Sequence, residues 1–234
     1  MTINLFLWPM LIPMIIPLLY CAKYKKESLV EIGLITLVMI LIVIFYWPLL
    51  VSNFLLTQTY TAVKFLLFVI LPVIFLLLLK RNKPSLNLVQ YGIKKQGLRN
   101  SLWLCVLFLP IMLIVTFVIN YINGVVTDAD ILSGTISFFE AFTEEFFFRG
   151  ILFIFLLSKT DLKIAYITSL ASFVLMHPQH FNSLFLISTV VQSVLTIEIS
   201  RRSENIIGAW LLHGINRFFV ISIIPFLGLF FLNI

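Results

Sequence analysis

Apolar residues along this chain gather into eight long runs, at about 4–21, 30–50, 61–79, 101–120, 136–158, 164–177, 184–200 and 206–230. Short polar stretches separate them. A helix needs roughly 20 apolar residues to cross the hydrocarbon core of a bilayer, and these runs are of that order. The sixth run is short for a full span, and the eighth is expected to break near Pro225. The first run contains Pro9, Pro13 and Pro17 and has no basic leader. It reads as a kinked first span, not as a cleavable signal.

The polar stretches decide orientation. Lys23, Lys25 and Lys26 follow the first run. Lys80, Arg81, Lys83, Lys94, Lys95 and Arg99 lie between the third and fourth, Lys159 and Lys163 between the fifth and sixth, and Arg201 and Arg202 between the seventh and eighth. The alternate stretches, near 51–60, 121–135 and 178–183, carry no Lys or Arg and hold Asp128 and Asp130. Basic loops stay in the cytoplasm, so this alternation supports eight spans and places both termini outside it. Residues 84–100 form the one sizeable cytoplasmic connection. With Leu86, Leu88, Tyr91, Ile93 and Leu98 among the basic residues, it reads either as a segment lying on the membrane surface or as a solvated linker.

Composition agrees. Of 234 residues, 61% are hydrophobic and only 11% charged, against roughly a quarter charged in soluble domains. Mean hydropathy is +1.11. The expected class is an all-α polytopic membrane protein, with about eight transmembrane helices enclosing an intramembrane polar cavity and the lipid bilayer as its surroundings. The net charge of +6 comes from cytoplasmic loops and gives no support to nucleic-acid binding. Cys21 and Cys105 have no metal or disulfide spacing and read as buried thiols.

Against that background the stretch Glu144-Glu145-Phe146-Phe147-Phe148-Arg149-Gly150 stands out. A charged side chain at the bilayer centre costs about 2.5–3.5 kcal/mol on insertion scales, so a cluster of them marks a functional site. Arg149 is four residues beyond Glu145, one helical turn, so the two can pair. Glu144 lies about 100° around the wheel and shares its face with Glu140. If both face apolar packing, at least one is expected to protonate, because burial and a like charge both raise a carboxyl pKa, and a glutamate raised in this way suits general-base work. Glu145 and Arg149 therefore read as structural and Glu144 as chemical. Glu31, Lys64 and Glu198 lie near span ends and are expected to snorkel.

Three histidines complete the inventory. His177 ends the sixth run, one turn after Phe173, and Pro178 stops the helix. His213 lies inside the eighth run, followed three and four residues on by Asn216 and Arg217. Each alone reads equally well as a hydrogen-bonded packing residue. Together with the carboxylates they place one polar group from each of three helices at a common interior. His180, in a polar loop, reads as solvated.

This constellation resembles the CAAX protease and bacteriocin-processing family (CPBP, also called ABI), which includes the type II prenyl-protein endopeptidases. Glu144, Glu145 and Arg149 match its two glutamates, three variable residues and arginine. Phe173 and His177 match its phenylalanine and histidine four apart. His213 matches its last histidine, but the family's asparagine four residues on is here Arg217, and Asn216 falls one residue early. The resemblance covers roughly residues 100–234. The apolar runs give three N-terminal spans and a basic cytoplasmic linker over 1–100, which carry none of the signature, and the resemblance implies a catalytic core of about five spans over 101–234.

The resemblance also implies an intramembrane endopeptidase in which Glu144 activates a water, His177 holds it or shuttles its proton, and His213 with a neighbouring amide stabilises the oxyanion. Glu145, Arg149, Phe173 and Arg217 would support the site. At the departure, either Asn216 reaches sideways, aided by a bend at Gly214, or Arg217 does the oxyanion work, or activity is impaired. The substrate would be a membrane-embedded peptide or protein, in CAAX-type or bacteriocin processing or self-immunity, and in a bacterium the protein would sit in the cell membrane. No cofactor is expected, although two histidines and a carboxylate could hold Zn²⁺. A non-catalytic immunity or binding protein and a proton-coupled transporter are the competing readings.

Overall fold

The structure, a computed structural model, describes residues 7–51, 57–79, 91–124 and 128–231. Residues 4–6 of the first run, residues 52–56 of the 51–60 stretch, and Lys80, Arg81, Lys83, Leu86 and Leu88 lie outside them. The described residues wind into eight helical rods: α1 (Trp8–Tyr24), α2 (Leu29–Val51), α3 (57–79), α4 (Leu98–Ile122), α5 (131–159), α6 (Leu162–Leu175), α7 (Phe185–Ser203) and α8 (207–231). Each coincides with one apolar run. The chain is an all-α, multi-pass membrane protein, as lipid requires of a backbone that must satisfy its own hydrogen bonds.

Among the described residues, four segments are long and apolar enough to cross a membrane by themselves: Lys26–Tyr46, Tyr60–Leu78, Leu98–Ile122 and Ile207–Leu227. The exceptions have physical reasons. α1 and α6 are apolar but short. α5 carries the buried charges Glu140, Glu144, Glu145 and Arg149, and α7 turns the buried Gln192, Ser193, Thr196 and Ser200 inward. These two rods need less apolar surface because neighbouring rods cover them. The outer surface is apolar instead: Trp103, Val106, Leu107, Ile114 and Val118 run along one exposed face of α4.

Lipid tails are as apolar as leucine, so rods in a membrane associate through close packing and hydrogen bonds. α4 meets α8 in this way. A Cβ on Gly208 would lie 2.1 Å from the Ser101 carbonyl oxygen, and Ser101 Oγ accepts the Gly208 N–H at 2.8 Å. α5 meets α8 at Gly214, where a Cβ would lie 2.8 Å from the Phe138 carbonyl oxygen. Gly214 thus serves helix contact. The helix Ile207–Phe218 continues as α-helix through Gly214.

Two expectations are corrected. α8 does not break at Pro225; it widens to π-helix over Phe219–Ile223 and then resumes. Pro225 has no N–H for the carbonyl four residues back, Ile221. That carbonyl accepts instead the backbone N–H of Asp130 at 3.3 Å, the residue that caps α5. The 84–100 connection, where described, is neither surface-lying nor freely solvated. Tyr91 is fully buried against Phe146 and Phe155, and Asn205 donates to the Lys94 carbonyl at 2.6 Å. The first rod, with its prolines, winds as 3₁₀-helix over Trp8–Met14 before becoming α-helix.

The α4–α8 crossing leads to a stability test. Gly208→Val should overpack a backbone contact and cost about 1–3 kcal/mol, read as a lower melting temperature in detergent. Gly33→Ala, where nothing lies within 4 Å of the added carbon, should leave it unchanged or slightly raised.

Candidate active site

α5 brings its charged residues to the centre of the bundle, and from Phe146 to Phe155 it winds as π-helix. Arg149 lies in this stretch and pairs with Glu145, Nε to Oε2 at 3.2 Å, as the spacing predicted. The guanidinium is completely buried. It donates to Thr196 Oγ1 at 2.7 Å, Ser169 Oγ at 3.3 Å and Ser193 Oγ at 3.4 Å, and stacks over the Phe173 ring at 4.6 Å. A planar, permanently charged group with five donors suits this three-rod junction of α5, α6 and α7.

Glu145 has a second partner. His213 Nδ1–H donates to Glu145 Oε1 at 2.8 Å. His177 Nδ1–H donates to the Phe173 carbonyl at 2.8 Å. A carbonyl or a carboxylate can only accept, so each imidazole, when neutral, keeps its lone pair on Nε2. Both Nε2 atoms face the same atom, Glu144 Oε2, at 3.9 Å each. That oxygen is buried and accepts no hydrogen bond from any described residue. The predicted convergence of Glu144, His177 and His213 is therefore present. The Phe173 ring centroid lies 4.8 Å from His177 and 6.1 Å from His213 and backs both.

The other oxygen of Glu144 was not anticipated. Lys64, expected to snorkel, is buried and pairs directly with Oε1 of both Glu140 and Glu144. Tyr46, Tyr60 and Phe68 surround its ammonium with ring centroids 5.7–5.9 Å away. Arg217 reaches Glu140 Oε2 at 3.2 Å and Glu144 Oε1 at 3.5 Å. The two carboxylates thus face two cations, not apolar packing alone. Three carboxylates (Glu140, Glu144, Glu145) meet three cations (Lys64, Arg149, Arg217), so their formal charges cancel.

Beside the cluster lies a cavity of about 370 Å³, lined by Glu144, His177, His213, Asn216 and Arg217 among others. Asn216 donates through Nδ2 to Gln192 Oε1 at 3.1 Å. His180 also lines the cavity, which corrects its reading as a solvated loop residue. It stacks on His177, with ring centroids 5.4 Å apart, and hydrogen-bonds Thr189 Oγ1 at 2.6 Å through Nδ1. Its sequence signal was its spacing, three residues past His177 across a proline turn. Glu31, also expected to snorkel, pairs with Lys159 at 2.5 Å, and Glu198 with Arg201 and Arg202.

Breaking one partner of a buried ion pair typically costs about 3–5 kcal/mol, because a charge is left uncompensated. Lys64→Met should therefore lower the melting temperature markedly. Adding Glu140→Gln restores the charge balance and should recover part of the loss. Equal melting temperatures for the single and double variants would show that the cluster does not act as one unit.

Comparison with known families matches residues 103–219, half of the chain, to the type II CAAX prenyl endopeptidase Rce1-like family. No curated protein and no solved structure matches. The match spans Glu144, Glu145, Arg149, Phe173, His177, His213 and Asn216 and stops before most of the π-helical turn of α8, while Lys64 lies outside it. By that match, and with these residues gathered inside a multi-pass membrane bundle, the chain belongs to the type II CAAX prenyl endopeptidase Rce1-like family.

Proposed function

We propose that this chain is an intramembrane endopeptidase that hydrolyses a peptide bond in a membrane-associated peptide or protein, with Glu144 as the base that activates water. The observation carrying this reading is the free oxygen of Glu144, set 3.9 Å from two histidine nitrogens beside a cavity. A separation beyond direct hydrogen bonding is one a water bridges. Three acceptors, Glu144 Oε2 and two Nε2 lone pairs, converge there, and a water is a molecule that can donate to two of them.

In this scheme Glu144 takes a proton as the water oxygen attacks the carbonyl, and returns it to the leaving amine. His177, locked by the Phe173 carbonyl, holds the water. His213 gains donor capacity at Nε2 only when protonated, and Glu145 at 2.8 Å stands as counter-ion to that imidazolium. Arg217, at the family's asparagine position, is a permanent donor on the cavity wall and supplies oxyanion stabilisation with His213. A donor of this kind in a water-poor site is typically worth a factor of about 10²–10³. Asn216 holds Gln192 and stands beside this pair as a further amide.

The donor set favours metal-independent chemistry. Among the described residues no group of three His, Cys, Asp or Glu is set to hold a metal ion, and Lys64 and Arg217, on the other oxygen Oε1, put two cations within one carboxylate's width of any dication at Oε2. A non-catalytic immunity or binding role is the second reading. The pairing of Glu144 Oε1 with two cations favours it, because such pairing is what a purely structural carboxylate would also make. Protection of cells from a membrane-active peptide that survives Glu144→Ala in full would select that role.

The test is a paired assay in proteoliposomes, following a pooled set of membrane peptides by mass spectrometry. Wild type should cleave. Glu144→Gln should lose about 10²–10⁴-fold, the usual worth of a general base, while remaining folded by melting temperature. Chelators should leave the wild-type rate unchanged. A variant that cleaves at the wild-type rate removes Glu144 from the mechanism.

A further inference from the structure

The cavity has a direction. Five rods contribute to its wall from one end only. Tyr46 lies late in α2, Tyr60 and Lys64 early in α3, Thr116 and Asn120 late in α4. The wall contribution of α6 comes from its end and that of α7 from its first half, and the turn joining them adds Gln179 and His180. In every case this is the end away from the Lys- and Arg-bearing connections.

The opposite end is closed by the 91–97 segment. Tyr91 is buried beneath α5, and the Ile206 N–H donates to the Gly92 carbonyl at 3.0 Å. Lys94 pairs with Glu204 at 2.7 Å, and Asn100 Nδ2 donates to the Arg202 carbonyl at 3.0 Å. Ser101 Oγ donates to the Asn205 carbonyl at 3.1 Å. These contacts plug the space between α4, α5 and the α7–α8 turn on the basic side. Basic connections are retained in the cytoplasm, so the plugged end is cytoplasmic and the cavity end is not.

We propose that the site is served from the non-cytoplasmic face of the membrane. Its substrate is then a peptide whose scissile bond lies at the outer boundary of the bilayer, such as a translocated or externally inserted membrane peptide, and not the cytoplasmic tail of a membrane protein. The access claim stands on geometry and charge alone; the substrate claim rests also on the proteolytic reading above.

Thiol labelling separates the two. In a Cys21→Ala, Cys105→Ala background, Gln179→Cys places a thiol at the exposed cavity rim and Lys95→Cys places one on the plugged side. Intact cells are treated with a membrane-impermeant maleimide. Gln179→Cys should label equally before and after permeabilisation, and Lys95→Cys only after it. The reverse pattern overturns the proposal. Asn182→Cys, exposed on the same turn, guards against a misfolded variant. External labelling of Asn182→Cys without Gln179→Cys would show the orientation right and the cavity shut, and would overturn the access claim. Cleavage plays no part in this readout. Where cleavage is measured, labelled Gln179→Cys protein should lose it, and an unchanged rate would place substrate entry elsewhere.

Discussion

Six formal charges are held inside a bundle whose surroundings are hydrocarbon, and the rest of the structure is arranged so that they cancel. Each charge left alone at that depth would cost several kcal/mol. Lys64 from α3, Arg149 from α5 and Arg217 from α8 are set against Glu140, Glu144 and Glu145, all on α5. That requirement brings α3 and α8 against α5. It also fills α7 with hydroxyls at Thr196 and Ser193, because the guanidinium of Arg149 has more donors than Glu145 can accept.

The same arrangement divides Glu144 into two functional halves. Oε1 is committed to cations, and Oε2 is left to the histidines and the cavity. Glu145 does for His213 what the Phe173 carbonyl does for His177: it fixes which nitrogen carries hydrogen and so which nitrogen faces the reaction space. Neutrality of the cluster matters chemically too. In the proposed hydrolysis, a negatively charged intermediate formed beside it would meet Arg217 and His213, not an excess of carboxylate.

Much of this was legible in the sequence, and the omissions share a cause. Charges inside an apolar run are conspicuous, so Glu144, Glu145 and Arg149 stand out directly, and helical spacing supplies the Glu145–Arg149 pair. Eight runs and their alternating basic loops gave the rods. Lys64 was missed because a lysine near a run's end has a cheap alternative, reaching for the interface. Its true partners are 76 and 80 residues away. His180 was missed because its loop is polar; its burial depends on the stack with His177. Pro225 announced a break, but the carbonyl it orphans finds a donor across the bundle at Asp130, a contact no local rule contains. Arg217 was visible as a departure, and its partner Glu140 was not.

The central claim is direct attack by a Glu144-activated water, with no covalent intermediate. It is tested by the mass of the newly formed carboxyl terminus when cleavage runs in ¹⁸O-labelled water containing hydroxylamine. The account predicts a free carboxyl carrying one solvent oxygen and no hydroxamate. A hydroxamate at the cut site would reveal an acyl-enzyme and contradict it.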